Sequence, residues 1–482
     1  MIKTLFVSSE AHPLIKTGGL GDVAGSLPRA LARANCDVRL VLPAYPDVLE
    51  KSRITGMKAI SEFTVLGEPV TLWQTRLPGT RVLVWLVDHP YFSARPGNPY
   101  CASPNQDWPD NHLRFMLFCR AACELAMDRA GLNWRADIVH ANDWQTGPLP
   151  LLLNEEKNRP GTVFTIHNLT YRGLFTWDAF DQLKLGNDYW HFEKLEFFDY
   201  AAFIKGGLVY ADYLTTVSPS YALEMQQPEH GWGLDGLLRS RSDRLVGILN
   251  GINTDEWNPG TDQSLAQRYN RNTLKRKAVN KAALQEALGL KVEPHVPLLG
   301  FIGRLVEQKG IDLLLQVLPG LLKSGRIQFA LLGSGMSHYE ASLTELARSY
   351  PGRLSVTLGY SEELSHQIEA GADLFLMPSM FEPCGLNQLY SLRYGTPPVV
   401  HNVGGLKDTI IDADANEEEG NGFVFPDATA ASFLSALERA LAAYTDGDRW
   451  RKIQLAGMKA DYSWDASAEA YRDQVYRPLL EA

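Results

Sequence analysis

The chain has 482 residues, of which 45% are hydrophobic and 21% charged, and its formal net charge is -10. This length exceeds one ordinary domain and predicts two or more. An acidic chain is a poor candidate for sequence-independent nucleic-acid binding, which depends on basic patches. The five cysteines form no Cys-x-x-Cys pair, which argues against a disulfide framework or a zinc site.

Membrane and secretory classes are also disfavoured by the sequence. No segment approaches the roughly 20 consecutive apolar residues of a membrane span. The N-terminal apolar run is too short for the core of a signal peptide. We therefore predict a cytoplasmic chain with no membrane partner. Cys119 and Cys123, one helical turn apart, are interpreted as core residues rather than ligands.

Short apolar runs alternate with helical patterns through most of the chain. Continuous hydrophobicity is typical of strands buried on both faces, as in parallel sheets, and the alternation predicts doubly wound α/β units. The predicted strands of the first series are 4–8, 37–42, 82–87, 137–140, 162–166 and 213–217. Those of the second series are 298–302, 328–332, 354–358, 373–377 and 398–401.

The strand series is interrupted once, by a polar stretch that begins near residue 246 and is rich in Asn, Arg and Lys. We therefore predict an N-terminal domain over 1–245 and a C-terminal domain over 246–458. The remaining segment, 459–482, is predicted to be a terminal helix with Ala466, Ala470, Tyr471 and Val475 on one side. The acidic run 417–419 is predicted to be a solvated loop.

The most informative loop runs from Lys16 to Gly25, between the first predicted strand and a helical pattern. The adjacent glycines Gly18 and Gly19 let the backbone approach a ligand closely. A helix N-terminus offers unpaired N–H groups to an anion. With Lys16 at its entrance, the loop indicates a phosphate or sugar-phosphate site, and a glycine-rich turn without a ligand is the alternative.

Two common nucleotide-binding motifs do not fit this loop. A P-loop has its lysine after the glycines, whereas Lys16 precedes them. Residues 19–24 match the relaxed dinucleotide fingerprint, but that fingerprint directly follows its strand, and here residues 10–17 intervene. The next strand ends in Pro43-Ala44, with no acidic residue for a ribose. A nicotinamide site is therefore disfavoured.

Ligands of open α/β sheets bind beyond the carboxyl ends of the strands. The polar side chains that follow the predicted strands include Asp143, His167, Arg304, Lys309, Tyr360 and Glu382. Two such edges facing one another would make a cleft at a domain interface. Arg304 and Lys309 suit a diphosphate, the arginine as a bidentate fork and the lysine as a point charge. The alternatives are surface salt bridges for these cations, a core position for His167 and a helix cap for Asp143.

The turn around Glu382 is defined by its neighbours. Pro383 and Gly385 flank Cys384, and the run Gly385-Leu386-Asn387 opens a predicted helix. This makes a second helix N-terminus at which an anion is stabilised.

Segments 16–20, 164–168, 303–310 and 381–386, with the segment around Asp143, resemble bacterial glycogen synthases and plant starch synthases in order and spacing. The resemblance covers almost the whole chain. It implies an α/β GT-B fold, with two Rossmann-like doubly wound domains facing a central cleft. It also implies a retaining glycosyltransferase that moves glucose from ADP-glucose to the non-reducing end of an α-1,4-glucan, elongating glycogen. No metal ion or other cofactor is implied.

The resemblance further implies roles for individual residues. Arg304 and Lys309 would neutralise the leaving diphosphate, and Glu382 would bind hydroxyls of the transferred glucose. Tyr360 would lie near the adenine, and Tyr100 and Asp143 would contact the acceptor. The implied catalytic residues are Lys16, Asp143, His167, Arg304, Lys309 and Glu382. The implied donor-binding residues are Lys16, Gly18, Gly19, Asn250, Arg304, Gln308, Lys309, Tyr360, Glu382, Cys384, Gly385 and Leu386.

One departure and two alternatives accompany this resemblance. The family usually has Thr where this chain has Asn387, so the role of that side chain is open. One alternative is another GT-B enzyme, such as a transferase using UDP-glucose or a phosphorylase with pyridoxal phosphate. The other is a non-catalytic glucan-binding protein, which would be expected to lack Lys16, Arg304, Lys309 or Glu382.

Overall fold

The computed structural model describes residues 1–103 and 106–481. The chain divides into two compact units. Unit 1 comprises Met1–Gly251 together with the chain from Trp464 onward, and unit 2 comprises Ile252–Ser463. The domain boundaries predicted from the sequence, at 245/246 and 458/459, lie a few residues before the boundaries between these two units.

Unit 1 is built on a sheet whose strands are mostly parallel. The strands of unit 1 are β1 (Ile2–Val7), β2 (Cys36–Pro43), β3 (Lys58–Val65), β4 (Glu68–Arg76), β5 (Leu83–Asp88), β6 (Cys101–Ser103), β7 (Gln106–Asp107), β8 (Ile138–Asn142), β9 (Gly161–Ile166), β10 (Leu174–Phe175), β11 (Glu196–Phe197), β12 (Tyr200–Ala202), β13 (Tyr213–Thr216) and β14 (Leu245–Gly247). Of these, β6 and β7 form a separate two-stranded sheet, and β10, β12 and β11 form a three-stranded one. The main sheet has the order β14-β13-β9-β8-β1-β2-β5-β4-β3. From β14 to β5 in this order the strands are parallel, and β4 and β3 continue the sheet antiparallel.

The six strands predicted in the first half are confirmed, with ends that differ by one or two residues. The β3–β4 hairpin was not predicted. Most residues of β3 are exposed or half-buried, so this strand lacks the continuous apolar run of a central parallel strand. Its turn is made by Leu66 and Gly67, whose φ values are +54° and +87°. The short edge strand β14 was also missed, because its sequence was interpreted as the start of the interdomain stretch.

The helices of unit 1 cover the parallel part of the sheet and hold the glycine loop. They are α1 (Gly19–Arg33), α2 (Pro46–Ile54), α3 (Pro90–Ser93), α4 (Asn111–Ala126), α5 (Pro148–Asn154), α6 (Trp177–Asp181), α7 (Phe203–Tyr210), α8 (Pro219–Glu224) and α9 (Asp235–Ser240). Cys119 and Cys123 lie buried in α4, which confirms their interpretation as core residues.

Unit 2 is a second doubly wound layer structure, and its sheet is entirely parallel. Its strands are β15 (Leu298–Ile302), β16 (Gln328–Gly333), β17 (Leu354–Leu358), β18 (Leu374–Met377), β19 (Pro398–His401) and β20 (Phe423–Phe425). Their order is β17-β16-β15-β18-β19-β20, which is the Rossmann order when the strands are counted within the unit. The five predicted strands are confirmed, and β20 is an additional edge strand.

Helices cover both faces of the unit 2 sheet, as buried parallel strands require. On one face Leu314 and Leu318 pack with Phe329, and on the other Ile368 packs with Phe375. The helices are α10 (Lys277–Ala287), α11 (Ile311–Lys323), α12 (Ser337–Ser349), α13 (Glu362–Gly371), α14 (Asn387–Arg393), α15 (Gly404–Thr409), α16 (Ala430–Thr445) and α17 (Gly447–Lys459). The acidic run 417–419 is an exposed turn, as predicted.

The terminal segment is helical, but its buried face differs from the prediction. It consists of α18 (Trp464–Ala470), a π-helical segment Tyr471–Tyr476 and α19 (Arg477–Glu481). Tyr471 and Val475 are buried as predicted, whereas Ala466 is exposed and Ser467 is buried instead. Ser467 is accommodated because its hydroxyl donates to the carbonyl of Leu249 at 2.6 Å. Among the described residues, no helix is long and apolar enough to cross a membrane.

Candidate functional site

Each main sheet has a position where the strand order reverses, and open α/β sheets bind their ligands beyond the carboxyl ends of the strands at such a position. In unit 1 this position lies between β1 and β8, because β1 pairs with β2 on one side and β8 on the other. The glycine loop leaves β1 and Asp143 follows β8. The strand order, rather than closeness in sequence, places these segments side by side.

The glycine loop is organised by a carboxylate that the sequence interpretation missed. Glu10 is 3% exposed, and its carboxylate accepts hydrogen bonds from the Thr17 amide at 2.5 Å, the Thr17 hydroxyl at 2.8 Å and the Gly18 amide at 3.3 Å. Burial raises the pKa of Glu10, and these hydrogen bonds partly offset that rise. An acidic residue between a buried strand and a glycine pair is the signal that could have identified it.

Two of the predicted ligand contacts are affected by Glu10. The Gly18 amide is directed at this carboxylate, so the first turn of α1 from Gly19 onward provides the remaining amide groups. The Tyr100 hydroxyl, expected on the acceptor side, donates to Glu10 at 2.8 Å and lies 2.7 Å from the Ser9 hydroxyl. In this structure Tyr100 therefore supports the glycine loop.

Lys16 is held against the start of α1. Its ammonium lies 2.8 Å from the Asp22 carboxylate, and both side chains are partly exposed. A Cβ at Gly21 would lie 3.1 Å from the Lys16 side chain and 3.2 Å from the Glu10 carboxylate. The absence of a side chain at Gly21 thus allows Glu10, Lys16 and α1 to pack together.

Asp143 and His167 lie beyond the ends of the adjacent strands β8 and β9. Asp143 has a φ of +58°, a conformation that is uncommon for a residue with a side chain. Its carboxylate accepts a hydrogen bond from the His167 amide at 2.8 Å and makes no capping bond to the helical turn that follows, so the helix-cap alternative is wrong. Burial raises the pKa of Asp143 to about 7.

His167 is a neutral imidazole near neutral pH. Its Nε2 lies 3.0 Å from the Asn142 side-chain oxygen, and burial lowers its pKa to about 3. The ring can therefore exchange hydrogen bonds with a ligand hydroxyl without carrying charge. Asn250, another predicted donor-binding residue, follows the edge strand β14 and is buried.

In unit 2 the strand order reverses between β15 and β18. Lys309 follows β15 and Glu382 follows β18, and their charged groups lie 2.5 Å apart. Glu382 also accepts a hydrogen bond from the Ser379 hydroxyl at 3.0 Å. The Glu382 side chain is only 7% exposed, whereas that of Lys309 is 20% exposed. The pair thus lies where the fold class places its ligands.

The loop carrying Arg304 is tied to the loop carrying Glu382. Gln308 accepts a hydrogen bond from the Met380 amide at 2.8 Å through its backbone oxygen, and its side chain donates to the Phe381 carbonyl at 3.3 Å. The exposed Arg304 guanidinium lies 3.4 Å from the Gln308 side-chain oxygen. Gly310 makes this approach possible, because a Cβ there would lie 1.9 Å from the Pro378 carbonyl oxygen.

A glycine pair that the sequence interpretation missed supports the same loop. Gly404 and Gly405 directly follow the region of β19, and the Gly405 amide donates to the Glu382 carbonyl at 3.1 Å. A Cβ at Gly404 would lie 1.9 Å from that carbonyl oxygen. Adjacent glycines in a loop that leads from a buried strand into a helix are the same signal that identified Gly18 and Gly19.

The turn after Glu382 leads into α14 as predicted. Gly385 has a φ of +72°, and a Cβ there would lie 2.4 Å from the Gln388 side-chain oxygen. Leu386 precedes the first residue of α14, and Cys384 is buried. The Asn387 side chain donates to the Ile302 carbonyl at 2.7 Å, so it ties α14 to the end of β15.

Tyr360 stands apart from this cluster. It follows β17, the edge strand two positions from β15, and it is 73% exposed. Its predicted position near an adenine stays a prediction.

Two family models match the chain. Residues 3–240 match a model described as the starch synthase catalytic domain, and residues 289–454 match one described as glycosyl transferases group 1. These models and the two doubly wound units define a glycosyltransferase of the GT-B class.

Individual relatives narrow the class. The glycogen synthase of Cellvibrio japonicus is 60% identical, with 99% of this chain and 100% of that protein covered. The glycogen synthase of Thioalkalivibrio sulfidiphilus is 52% identical, with the same coverage. The catalytic domain of starch synthase IV from Arabidopsis thaliana, solved with ADP and acarbose, has a TM-score of 0.89 at 33% identity, with all of both chains covered. The chain belongs to the glycogen synthase and starch synthase family.

A more distant structure shares the fold. Sucrose-phosphate synthase from Thermosynechococcus elongatus has a TM-score of 0.60 at 18% identity, with all of both chains covered. Because the chain belongs to a family of transferases, the alternative of a non-catalytic glucan-binding protein is disfavoured.

Proposed function

We propose that this chain elongates glycogen by transferring glucose from ADP-glucose to the non-reducing end of an α-1,4-glucan, with retention of the α configuration. The observation that carries the proposal is the pairing of Lys309 with buried Glu382 where the strand order of unit 2 reverses. The ADP bound to the related starch synthase supports adenine as the base of the donor. A donor based on UDP is the remaining alternative.

The Lys309–Glu382 pair suits a glycosyl diphosphate because the ligand provides a partner for each side chain. The diphosphate is a partner for the ammonium group of Lys309, and the glucose hydroxyls are donors for the carboxylate of Glu382. Arg304 provides a second cation from an exposed position on the same loop. These charges are most valuable as the glycosyl–oxygen bond breaks and negative charge develops on the leaving phosphate.

The residues of unit 1 would act on the phosphate and on the acceptor. Lys16 and the Gly19 amide would contact the phosphate, whereas the Gly18 amide already has Glu10 as its acceptor. His167 and Asp143 would contact sugar hydroxyls beside the reacting carbon. In this proposal the domain over 1–245 binds the glucan acceptor and the domain over 246–458 binds the nucleotide-sugar donor. The terminal helix over 459–482 returns to the N-terminal domain.

Retention is proposed without a covalent glycosyl-enzyme. Burial raises the pKa of Asp143 to about 7, so part of this carboxyl is protonated near neutral pH and is then not a nucleophile. The Glu382 carboxylate is already bound by Lys309 and Ser379. In the proposed step the bond from C1 to the phosphate oxygen breaks and the bond from C1 to the acceptor oxygen forms on the same face. The acceptor hydroxyl proton passes to the departing phosphate. No metal ion or cofactor takes part in the proposed step.

The test uses the purified full chain with glycogen and either ADP-glucose or UDP-glucose. We expect transfer from ADP-glucose to dominate, the new linkage to be α, and Arg304→Ala to reduce turnover about 100-fold or more, the scale of losing one preorganised donor. Arg348→Ala is the control, because Arg348 is an exposed arginine of α12 in the same unit. Preference for UDP-glucose would overturn the proposed donor. A mass increase from a glycosyl group trapped on Asp143 or Glu382 would overturn retention without a covalent intermediate. The cytoplasmic location stays a prediction.

A further inference from the structure

Unit 2 contains a buried histidine that the proposed reaction does not use. His366 lies in α13 and is 5% exposed. Its Nδ1 is 2.7 Å from the Asp262 carboxylate. Its ring stacks on Trp257, with 3.9 Å between ring centroids and 8° between ring planes. These two contacts fix the orientation of the imidazole independently of each other.

The second nitrogen of this ring faces a carboxylate of the same helix. Nε2 lies 3.8 Å from the Glu362 carboxylate, which is too long for a hydrogen bond. Glu362 and His366 are four residues apart in α13, so they share one face of the helix. Glu256 adds a carboxylate from the segment before Trp257, and one ligand atom from each of the three residues lies within 4.8 Å of the others.

We propose that Glu256, Glu362 and His366 form a binding site for a divalent transition-metal ion of the Zn²⁺ type. Ligand atoms about 2.1 Å from one such ion are roughly 3.5 Å apart, so a small closing movement completes the set. A histidine that coordinates through one nitrogen while the other is hydrogen-bonded to a carboxylate is the usual arrangement at protein metal sites, and Asp262 provides that carboxylate. Three protein ligands leave a fourth position for water.

The competitor for this site is a proton. Burial by itself lowers the pKa of His366, but the hydrogen bond to Asp262 and the negative charge of the nearby Glu362 outweigh it and raise the pKa to about 9. The other groups that face the ring are Glu256 and the Tyr394 hydroxyl, and Glu369 interacts with it through space. A metal ion must therefore displace one proton near neutral pH.

The consequence of metal binding would be local. An ion shared by Glu256 and Glu362 would tie the segment before Trp257 to the first turn of α13. Since it binds only the folded arrangement, it would raise the melting temperature of unit 2. This inference is independent of the proposed transfer reaction, for which no metal is needed.

The test uses the full chain after removal of metal by a chelator. We expect one Zn²⁺ per chain by calorimetry, with an affinity that rises as the pH is raised, because protons compete with the ion for its ligands. With Co²⁺ we expect visible absorption bands and no near-ultraviolet band from thiolate ligands. Glu256→Gln and Glu362→Gln should each weaken binding at least about tenfold, a typical loss for a disturbed site. The control is Glu363→Gln, which removes a neighbouring exposed carboxylate of the same helix.

Unchanged affinity in either Glu256→Gln or Glu362→Gln would overturn the proposal, and so would an equal loss in Glu363→Gln. A thiolate band would assign the ion to a cysteine site instead. Each glutamine variant keeps the shape of its side chain, and the melting temperature measured without metal shows that the variant is folded. Zn²⁺ should raise that temperature in the wild type and in Glu363→Gln only.

Discussion

Replacement of Lys309 by methionine separates the structural role of the Lys309–Glu382 pair from its chemical role. The substitution keeps the aliphatic stem and removes the ammonium group that lies 2.5 Å from Glu382. The Glu382 carboxylate then keeps only the Ser379 hydroxyl of these two partners, at 3.0 Å. Removing one partner of a buried ion pair costs about 3–5 kcal/mol, because the other charge stays buried without compensation.

We expect the lower end of that range, because the Lys309 side chain is 20% exposed and water can reach the carboxylate once it is shortened. About 3 kcal/mol corresponds to a decrease of about 6–12 °C in the melting temperature of a unit of this size. Glu382→Gln should lower the melting temperature less, since the ammonium group of the more exposed Lys309 can be hydrated. In the double variant Lys309→Met with Glu382→Gln, most of the stability lost in Lys309→Met should return.

Activity should follow a different pattern from stability. Lys309→Met and the double variant should both lose about 100-fold or more in turnover, since both lack the cation proposed for the leaving diphosphate. Differential scanning calorimetry measures the unfolding of unit 2, and transfer from ADP-glucose measures activity. The control is Lys323→Met, at the exposed end of α11. A melting temperature of Lys309→Met within about 2 °C of that control, less than 1 kcal/mol for a unit of this size, would refute the reasoning.

Three further predictions rest on the same structure. Burial raises the pKa of Asp143 to about 7, so between about pH 4 and 7 the folded chain keeps a proton that the unfolded chain releases, and the stability contributed by this carboxyl falls as pH rises. The melting temperature of Asp143→Asn minus that of the wild type should rise over this interval; a flat difference would contradict the buried carboxyl. Glu10→Gln should raise the KM for the donor about tenfold, the equivalent of one charged hydrogen bond, while the exposed Glu50→Gln should not; equal values would contradict the support of the glycine loop. Asn387→Thr should change kcat/KM by less than about 1.5 kcal/mol, because it exchanges one neutral hydrogen bond. Gly385→Val should lose far more, because φ is +72° and its Cβ would lie 2.4 Å from a glutamine oxygen; the reverse order in kinetic assays would refute this account.

The sequence by itself determined the central strands of both units and the loops that carry the candidate residues. The runs in β15 and β18 are continuously apolar because both strands are buried between helices. That signal is local, so it can be recognised without knowing which strands are neighbours. The glycines of the loop before α1 are local signals of the same kind.

Local signals were insufficient where a residue's environment depends on distant chain segments. The strand β3 is mostly exposed or half-buried, so it lacks the continuous apolar run by which the central strands were predicted. Ser467 is buried although it is polar, because the carbonyl of Leu249 accepts its hydrogen bond. Alanine at position 466 was the more apolar choice for the buried face, and the tertiary contact overrode it.

Only the tertiary structure decided which candidate residues act together. Glu10 meets Tyr100 across 90 positions of sequence, and Lys309 meets Glu382 across 73. Both contacts lie beside a strand, β1 or β15, at which the strand order reverses, and that order is a property of the whole sheet. A residue pattern shows that a side chain follows a strand, whereas the pairing of the strands determines which other side chain it meets. The hydrogen bonds of Glu10 and the ion pair of Lys309 exist because the sheets place these loops side by side.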